Sequence, residues 1–258
     1  MSLIISQVTD PLDFQMIMPM EYDAWRTPYN PQLKHFRPAM LNRADSIART
    51  IAKNTKKLHE LKPSEFMIKV TDTETNEIIG FAIWALNELN DKEDGKTEAI
   101  WYPEGSEERE FAELFIDGLW GFIGDRVTRK HMGICSQFSI HLHTYDSSDL
   151  LSITVHTSHR HRGAGRMLIR WGTEKADELG VETVISSLPS ARGAYEKSGF
   201  GCIEVIPPNP MLEKRLEQLE SEGKGKKWKE LLEDDLSGFL MWRPLGRDWA
   251  EGDRAPWM

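Results

Sequence analysis

The order of apolar and polar positions predicts strands and helices in alternation. Ser2 to Val8 is short and β-rich and predicts a first strand. Asp10-Pro11 suits a helix start, with Asp as N-cap and Pro in the first helical position. From about Ala39 to Leu61, a loosely apolar stripe of Leu41, Ile47, Ile51 and Leu58 predicts a helix. Phe66–Val70 and Ile78–Trp84 flank the polar turn Asp72-Thr73-Glu74-Thr75-Asn76, a hairpin signal. Asp91–Thr97 and Tyr102-Pro103-Glu104-Gly105 are breaks. Glu107 to about Arg129 predicts a helix with a broad apolar face of Phe111, Leu114, Phe115, Leu119, Phe122 and Ile123. Such a helix either braces the core or closes over a pocket, and the pattern permits both.

Further on, Leu150–Val155 is apolar and β-branched and predicts a buried strand. Leu168, Trp171, Gly172, Ala176 and Leu179 recur at helical spacing, with Gly180 as a stop. Glu182–Ser186 and Ile203–Ile206 predict strands, the second ended by Pro207-Pro208-Asn209-Pro210. A charged helix over Met211–Ser221, a flexible exposed turn over Ser221–Lys227 and a last strand over Phe239–Pro244 follow. The polar tail carries Trp249 and Trp257, which implies either that it folds back or that it makes a dimer contact.

The chemistry concentrates between the strand ending at Val155 and the helix that follows. Arg160-His161-Arg162-Gly163-Ala164-Gly165 places glycines where a backbone can approach a ligand without a Cβ in the way. The first N–H groups of a helix have no internal partners, and with the helix dipole they favour phosphate oxygens. Arg160, Arg162 and Arg166 add charge, so the segment reads as an anion cradle. A dinucleotide fingerprint does not fit. Leu168 stands where its third glycine belongs, Val155 lies too far before Gly163, and Glu182 begins a strand rather than ending one. No Gly-Lys-Ser/Thr ending is present, which excludes a P-loop.

Bulk properties narrow the setting. With 258 residues, 40% hydrophobic and 28% charged, the chain has the balance of an ordinary globular protein. No apolar run approaches a membrane span, and the N-terminal residues lack a basic leader with a long apolar core. Only Cys135 and Cys202 are present, which argues against a disulfide framework and fits a reducing compartment. A cytoplasmic protein is expected. The net charge of −9 argues against nucleic-acid binding and would help attract a cationic amine.

Two motifs carry a resemblance. Arg160, Gly163 and Gly165 fill the signature of Gln or Arg, two residues, Gly, one residue, and Gly or Ala. Downstream, Arg192-Gly193-Ala194-Tyr195-Glu196-Lys197-Ser198-Gly199-Phe200 looks like a tyrosine-bearing helix ending in Gly-Phe. In this order, separated by a helix and a strand, they resemble the GCN5-related N-acetyltransferases (GNAT). The long connection before the cofactor strand is similar to that of fungal GNAT proteins. The resemblance is clearest from Leu150 to Phe200. It implies an α+β fold, with a mostly antiparallel sheet of about six or seven strands, a parallel, splayed central pair and flanking helices. It also implies one domain over residues 1–258, with an insertion at about 87–149 and a tail at about 245–258.

The resemblance further implies acetyl-CoA, or another acyl-CoA, as co-substrate, and direct attack by an amine without an acyl-enzyme. Ile153, Thr154 and Val155 would pair with the pantetheine arm as a peptide strand does. The pyrophosphate would sit on N–H groups from Arg160 through His161, Arg162, Gly163, Ala164 and Gly165 to Arg166. A backbone N–H near Val155 is the family's usual oxyanion donor. Tyr195 matches the tyrosine that reaches the coenzyme sulfur, where a phenol can protonate the leaving thiolate; the structural alternative is a core tyrosine whose hydroxyl finds a partner. Thr157 stands where many relatives have proline.

The general base is open. His141 and His143 alternate on a predicted strand and share a face, and Glu98, Asp146 and Asp149 are rival carboxylates. His141, His143, His156, His159 and His161 invite a metal reading, but no HExxH spacing or cysteine pair accompanies them, so no metal is expected. The expected reaction is acetyl transfer to the primary amine of a small molecule, by a monomer or homodimer. The alternatives are a CoA-binding or interaction module without catalysis, a protein or peptide lysine acetyltransferase, and transfer to a hydroxyl.

Overall fold

The computed structural model describes residues 2–27, 30–36, 42–87, 96–133 and 153–258. The chain opens with the edge strand β1 (Leu3–Gln7). Asp10 then accepts the Leu12 N–H at 2.9 Å, and with Pro11 it starts a single 3₁₀ turn that leads into α1 (Phe14–Trp25). A short α2 (Leu33–Phe36) follows. Helix α3 (Arg43–His59) starts later than the periodicity predicts, because Asn42 caps it by accepting the Asp45 N–H at 3.2 Å. Residues 37–41, including Leu41 of the predicted stripe, lie outside the described residues. The predicted hairpin is β2 (Glu65–Asp72) and β3 (Glu77–Asn87), with Asn76 at φ 57°, a left-handed position that asparagine tolerates.

Ser106 caps α4 (Glu107–Arg126). The chain continues through β4 (His131–Gly133), β5 (Ile153–Val155), α5 (Ala164–Glu178), β6 (Glu182–Ser187) and α6 (Arg192–Glu196). It closes with β7 (Gly201–Ile206), α7 (Pro210–Ser221), α8 (Lys226–Leu232) and β8 (Gly238–Arg243). The sheet runs β1-β2-β3-β4-β6-β8-β7, and β5 also pairs with β3. Every pair is antiparallel except β4 with β6. This is the expected architecture, a mostly antiparallel sheet with one parallel central pair and flanking helices.

The sheet position of β5 is shared with a second short strand. Antiparallel to β3, β4 pairs with Ala85–Asn87 and β5 with Gly80–Ala82, so the two lie end to end along one edge. Between Gly133 and Ile153 the chain advances twenty residues while β3 advances only three, from Ala82 to Ala85. Of the strand expected over Leu150–Val155, residues 150–152 lie outside the described residues, and the remainder, β5, is the second half of a position whose first half is His131–Gly133. Three residues are too short for an alternation to register, so the pattern gave no sign of β4. Strand β6 meets β4 only at Glu182 and Thr183; from Val184 on, among the described residues, it pairs with β8 alone. Among the described residues, the parallel pairing therefore ends before β5.

Helices cover both faces. Neighbouring side chains of a strand point to opposite faces. Phe81 meets Phe14 of α1 edge-on at 6.4 Å, while Trp84 turns to α5 and donates its indole N–H to the Leu168 carbonyl at 3.2 Å. Gly172 makes room for that indole: a Cβ there would lie 2.1 Å from Trp84 Cε2. A second apolar cluster joins Phe36, Phe111, Phe115 and Ile116 to Leu212, Leu219, Trp228 and Leu231. Helix α4 is therefore a brace against α7 and α8, not a lid. Asn209 ties them together, donating to the Leu114 carbonyl at 2.8 Å while capping α7.

Two sequence expectations change at the C-terminal end. The turn predicted over Ser221–Lys227 ends at Gly225, where α8 begins, with Gly223 and Gly225 both at positive φ. Seven residues show no usable period; α8 owes its place to Trp228, which is fully buried and donates to the Leu212 carbonyl at 2.9 Å. Of the two tail expectations, folding back is what the structure shows. The Trp249 N–H donates to the Gly199 carbonyl at 2.9 Å, Trp257 meets Trp242 edge-on at 6.2 Å, and Ala255 is buried.

The Trp84–Gly172 contact gives a direct test. Gly172→Ala should lower stability by about 1–3 kcal/mol through overpacking, despite alanine's better helix propensity. Gly121→Ala, on α4 with no atom within 4 Å of the new methyl, should instead stabilise by about 0.5–1 kcal/mol. Urea midpoints of the two proteins check this, and equal shifts would mean the indole does not seat in the glycine notch.

Candidate functional site

The site begins at the free edge of β5. The His156 N–H donates to the Ile79 carbonyl at 2.8 Å. In an antiparallel pair alternate residues face the partner, so Thr154 also turns its backbone to β3. Ile153 and Val155 then point their N–H and C=O groups the other way, toward the side where Val184–Ser187 of β6 lies unpaired with β5. The three predicted strand residues divide accordingly. Ile153 and Val155 present backbone groups with no partner among the described residues, while Thr154 is an anchor whose hydroxyl accepts the Trp25 indole N–H of α1 at 3.1 Å.

Beyond β5, the chain makes a 3₁₀ turn over Thr157–His159 and enters α5 through Gly163. Gly163 has φ 96°, and a Cβ there would meet nothing within 4 Å, so the backbone conformation alone demands glycine. His161 is left-handed too, at φ 63°, an uncommon conformation for a side-chain-bearing residue, and it is exposed. The Met167 N–H donates to the Gly163 carbonyl at 3.0 Å. The N–H groups of Ala164, Gly165 and Arg166 precede that bond and face out of the helix end. A Cβ at Gly165 would touch only Val155 Cγ2, at 3.5 Å, so no protein neighbour requires glycine there. The cradle is open where a ligand backbone would approach.

The three arginines are less alike than their spacing implies. Arg160 donates through Nη2 to the Ala24 carbonyl at the end of α1, at 3.0 Å. Arg162 donates to Asp72 Oδ2 at 2.6 Å and to His159 Nδ1, and His159 Nε2 lies 3.5 Å from Glu77 Oε2. Asp72 is buried at the end of β2, and the Arg162 guanidinium, with the Glu74 N–H, holds its carboxyl below the usual range. Arg160 and Arg162 therefore pin the loop to α1 and to the hairpin. Arg166 is exposed and makes no ion pair among the described residues.

Tyr195 sits on α6, 7% exposed, with its ring edge-on to Phe200 at 5.7 Å. Burial pushes its phenol well above the usual tyrosine value, so it keeps its proton at neutral pH. Its hydroxyl makes no hydrogen bond among the described residues. A core tyrosine ordinarily satisfies that group.

The remaining candidates scatter. His141, His143, Asp146 and Asp149 lie outside the described residues. Glu98 is exposed, near Arg109 in the first turn of α4. His156 accepts the Ser158 N–H at Nδ1, 3.2 Å away, with its ring 4.9 Å from that of His159. Among the described residues no three potential ligands gather around a metal position. Trp25, Asp72 and the Ala24 carbonyl all support the loop, and no motif marks them, because each contact joins elements far apart in sequence.

The closed end of the parting strands holds a buried His131. Its Nδ1–H donates to the Arg129 carbonyl at 2.8 Å and its Nε2 accepts the Asn87 amide at 3.2 Å, which defines a neutral ring. Burial holds its pKa below the ordinary histidine value.

Residues 30–200 match the model of the acetyltransferase (GNAT) family. The chain belongs to that family. The GNAT assignment accounts for the glycine loop, the parting parallel pair and the tyrosine helix together, and makes the protein an N-acetyltransferase by family. Among solved structures, a mosquito arylalkylamine N-acetyltransferase like 5b superposes with TM-score 0.56 at 12% identity, covering 95% of this chain and 100% of that one. The ribosomal-protein-S18-alanine N-acetyltransferase of Escherichia coli superposes with TM-score 0.45 at 12% identity, covering 98% and 100%. At 12% identity the likeness to the mosquito structure is one of fold. No curated protein matches the sequence.

His131 makes stability depend on pH with a definite sign. Below about 6.5 the unfolded chain takes up a proton that the folded ring resists, so stability falls as pH falls, by at most about 1.4 kcal/mol per unit from this group. Urea unfolding between pH 7.5 and 5.5 should show a shallower pH slope in His131→Gln than in the parent; identical slopes would mean that His131 accepts its proton freely in the folded state.

Proposed function

We propose that the protein transfers the acetyl group of acetyl-CoA to the primary amine of a small molecule, by direct attack within a ternary complex. The observation that supports this reading is that three sets of groups lack a partner among the described residues: the outward backbone of Ile153 and Val155, the first N–H groups of α5 at Ala164–Arg166, and the Tyr195 hydroxyl. Bound acetyl-CoA would supply an activated thioester. The N–H and C=O groups of Ile153 and Val155 would hold its pantetheine amides as a neighbouring strand would, with the Val155 N–H also suited to a developing oxyanion. The outward N–H groups at the start of α5 and the free Arg166 would take the pyrophosphate. Arg160 and Arg162 would serve by fixing the loop.

Tyr195 would give its proton to the departing sulfur as the acyl carbon–sulfur bond breaks and the amide forms. A phenol is protonated at neutral pH, and one whose hydroxyl is bonded to no other described residue is free to pass its proton to a forming thiolate. The net charge of −9 favours a cationic acceptor. The domain reading follows the same lines, with one GNAT domain carrying an insertion before β5 and a tail that packs back on it.

Thermal unfolding with acetyl-CoA, CoA, NAD and ATP tests the cradle. Acetyl-CoA and CoA at a hundred times their dissociation constants should each stabilise the parent by about 2.7 kcal/mol, with NAD and ATP inert. Arg166→Ala should need more ligand for the same shift. Free-thiol release with a panel of tryptamine, phenethylamine, spermidine and a lysine peptide then identifies the acceptor class. Turnover of the peptide alone would replace the small-molecule reading, and no coenzyme shift at all would remove the acetyl-transfer reading.

Within that assay, Tyr195→Phe should lower kcat by about a hundredfold or more while leaving the coenzyme shift intact. A variant as fast as the parent would return Tyr195 to a purely structural part.

A further inference from the structure

The tail after β8 does more than cover a surface. Its anchor points converge on the turn that carries Tyr195. That turn closes α6 through three hydrogen bonds: Ser198 N–H and Phe200 N–H both donate to the Tyr195 carbonyl, at 2.8 and 3.1 Å, and Gly199 N–H donates to Glu196 at 3.2 Å. Gly199 sits at φ 89°, which reverses the chain so that the Phe200 ring returns edge-on to Tyr195. Both the backbone and the ring of Tyr195 thus depend on residues 198–200.

The tail grips this turn from outside. Trp249 donates its backbone N–H to the Gly199 carbonyl at 2.9 Å. Its indole lies against Gly201, where a Cβ would fall 2.4 Å from ring atoms, and Asp248 fills the space beside Gly199, 2.2 Å from a Cβ built there. Both glycines are therefore moulded to the tail. The tail is itself held at its root and tip. Arg243 pairs with Asp177 at the end of α5 through two bonds of 2.9 Å, and Gly246 N–H donates to the same carboxylate at 2.7 Å. Arg247 closes a loop onto Asp253, which also accepts the Ala250 N–H at 2.8 Å. One acid, Asp177, thereby joins the far end of the cradle helix to the tail that grips the tyrosine turn.

We propose that Trp249 is a positioning residue of the acetyl-transfer site: through the Gly199–Gly201 turn it sets the attitude of the Tyr195 ring. This rests on the reading of Tyr195 given above as the proton donor. The backbone hydrogen bond and the indole packing of Trp249 fall on the Gly199–Gly201 turn, so its effect falls on the chemical step rather than on coenzyme binding.

Fluorine NMR of protein labelled with 3-fluorotyrosine tests the structural half without any acceptor. The chain has five tyrosines, and the Tyr195 line is the one missing from Tyr195→Phe. Trp249→Ala should move that line and leave the others, and Trp249→Phe, which keeps an aromatic ring over Gly201, should restore it. The kinetic half uses the panel amine turned over fastest. Trp249→Ala should lower kcat by on the order of tenfold with KM for acetyl-CoA unchanged, and should cost nothing further in a Tyr195→Phe background. An unmoved Tyr195 line, or an equal loss of kcat with and without Tyr195, overturns the positioning role. A Tyr195→Phe enzyme as fast as the parent would instead remove the proton-donor reading, and the fluorine lines would still decide whether the tail holds the ring.

Discussion

The backbone ladder along the far edge of β3 is the constraint on which the site depends. A buried edge must have its N–H and C=O groups satisfied, and β3 satisfies them with two separate segments, β4 at Ala85–Asn87 and β5 at Gly80–Ala82. The two are collinear, but only β4 continues the sheet to β6. Because β5 is held by β3 on one side and does not pair with β6 on the other, it keeps strand geometry while its outward groups at Ile153 and Val155 have no partner among the described residues. A strand held on one side only is a template for another extended amide chain, which is what a pantetheine arm offers.

The surrounding side chains keep that template in place from both faces. On one face, Trp25 of α1 donates to Thr154; on the other, α5 comes close because Gly172 admits Trp84. The charges of the loop follow the same logic. A cationic loop would bind anions by Coulomb attraction alone, which salt screens when the groups are exposed. Here two of the arginines are committed to Asp72 and to the carbonyl of Ala24, so the loop's shape is fixed before any ligand arrives. In the proposed function, anion recognition would then fall to aligned backbone N–H groups, which lose no side-chain freedom on binding.

Material beyond the sheet stabilises this arrangement at a distance. Helix α4 belongs to a second core with α7 and α8, built around Trp228 and the phenylalanines of α4. A third cluster ties Ile123, Val184, Leu240 and Trp242 to the tail's Trp249 and Trp257. Helix α4 and the tail are thus bound to the strands β6 and β8.

Sequence alone determined much of this. The amphipathic period of α5, the hairpin of β2 and β3, the glycine demanded by φ at position 163 and the tyrosine helix ending in Gly-Phe are local properties, set by spacing and backbone sterics within a few residues. The mostly antiparallel sheet with its parted pair was legible through the family resemblance that those motifs carry. What lies between distant residues was not legible. His131–Gly133 is too short to show a period, and only its register on β3 reveals it as the first half of the cofactor strand. Helix α8 exists because Trp228 finds a hole, and α4 is a brace because Phe111 and Phe115 meet partners from the other end of the chain. Three arginines look equivalent in the sequence, yet Asp72 and Ala24 divide them. Local sterics act through covalent neighbours and can be read from order along the chain; packing, ion pairing and register depend on which surfaces meet, and that is decided only when the tertiary structure closes.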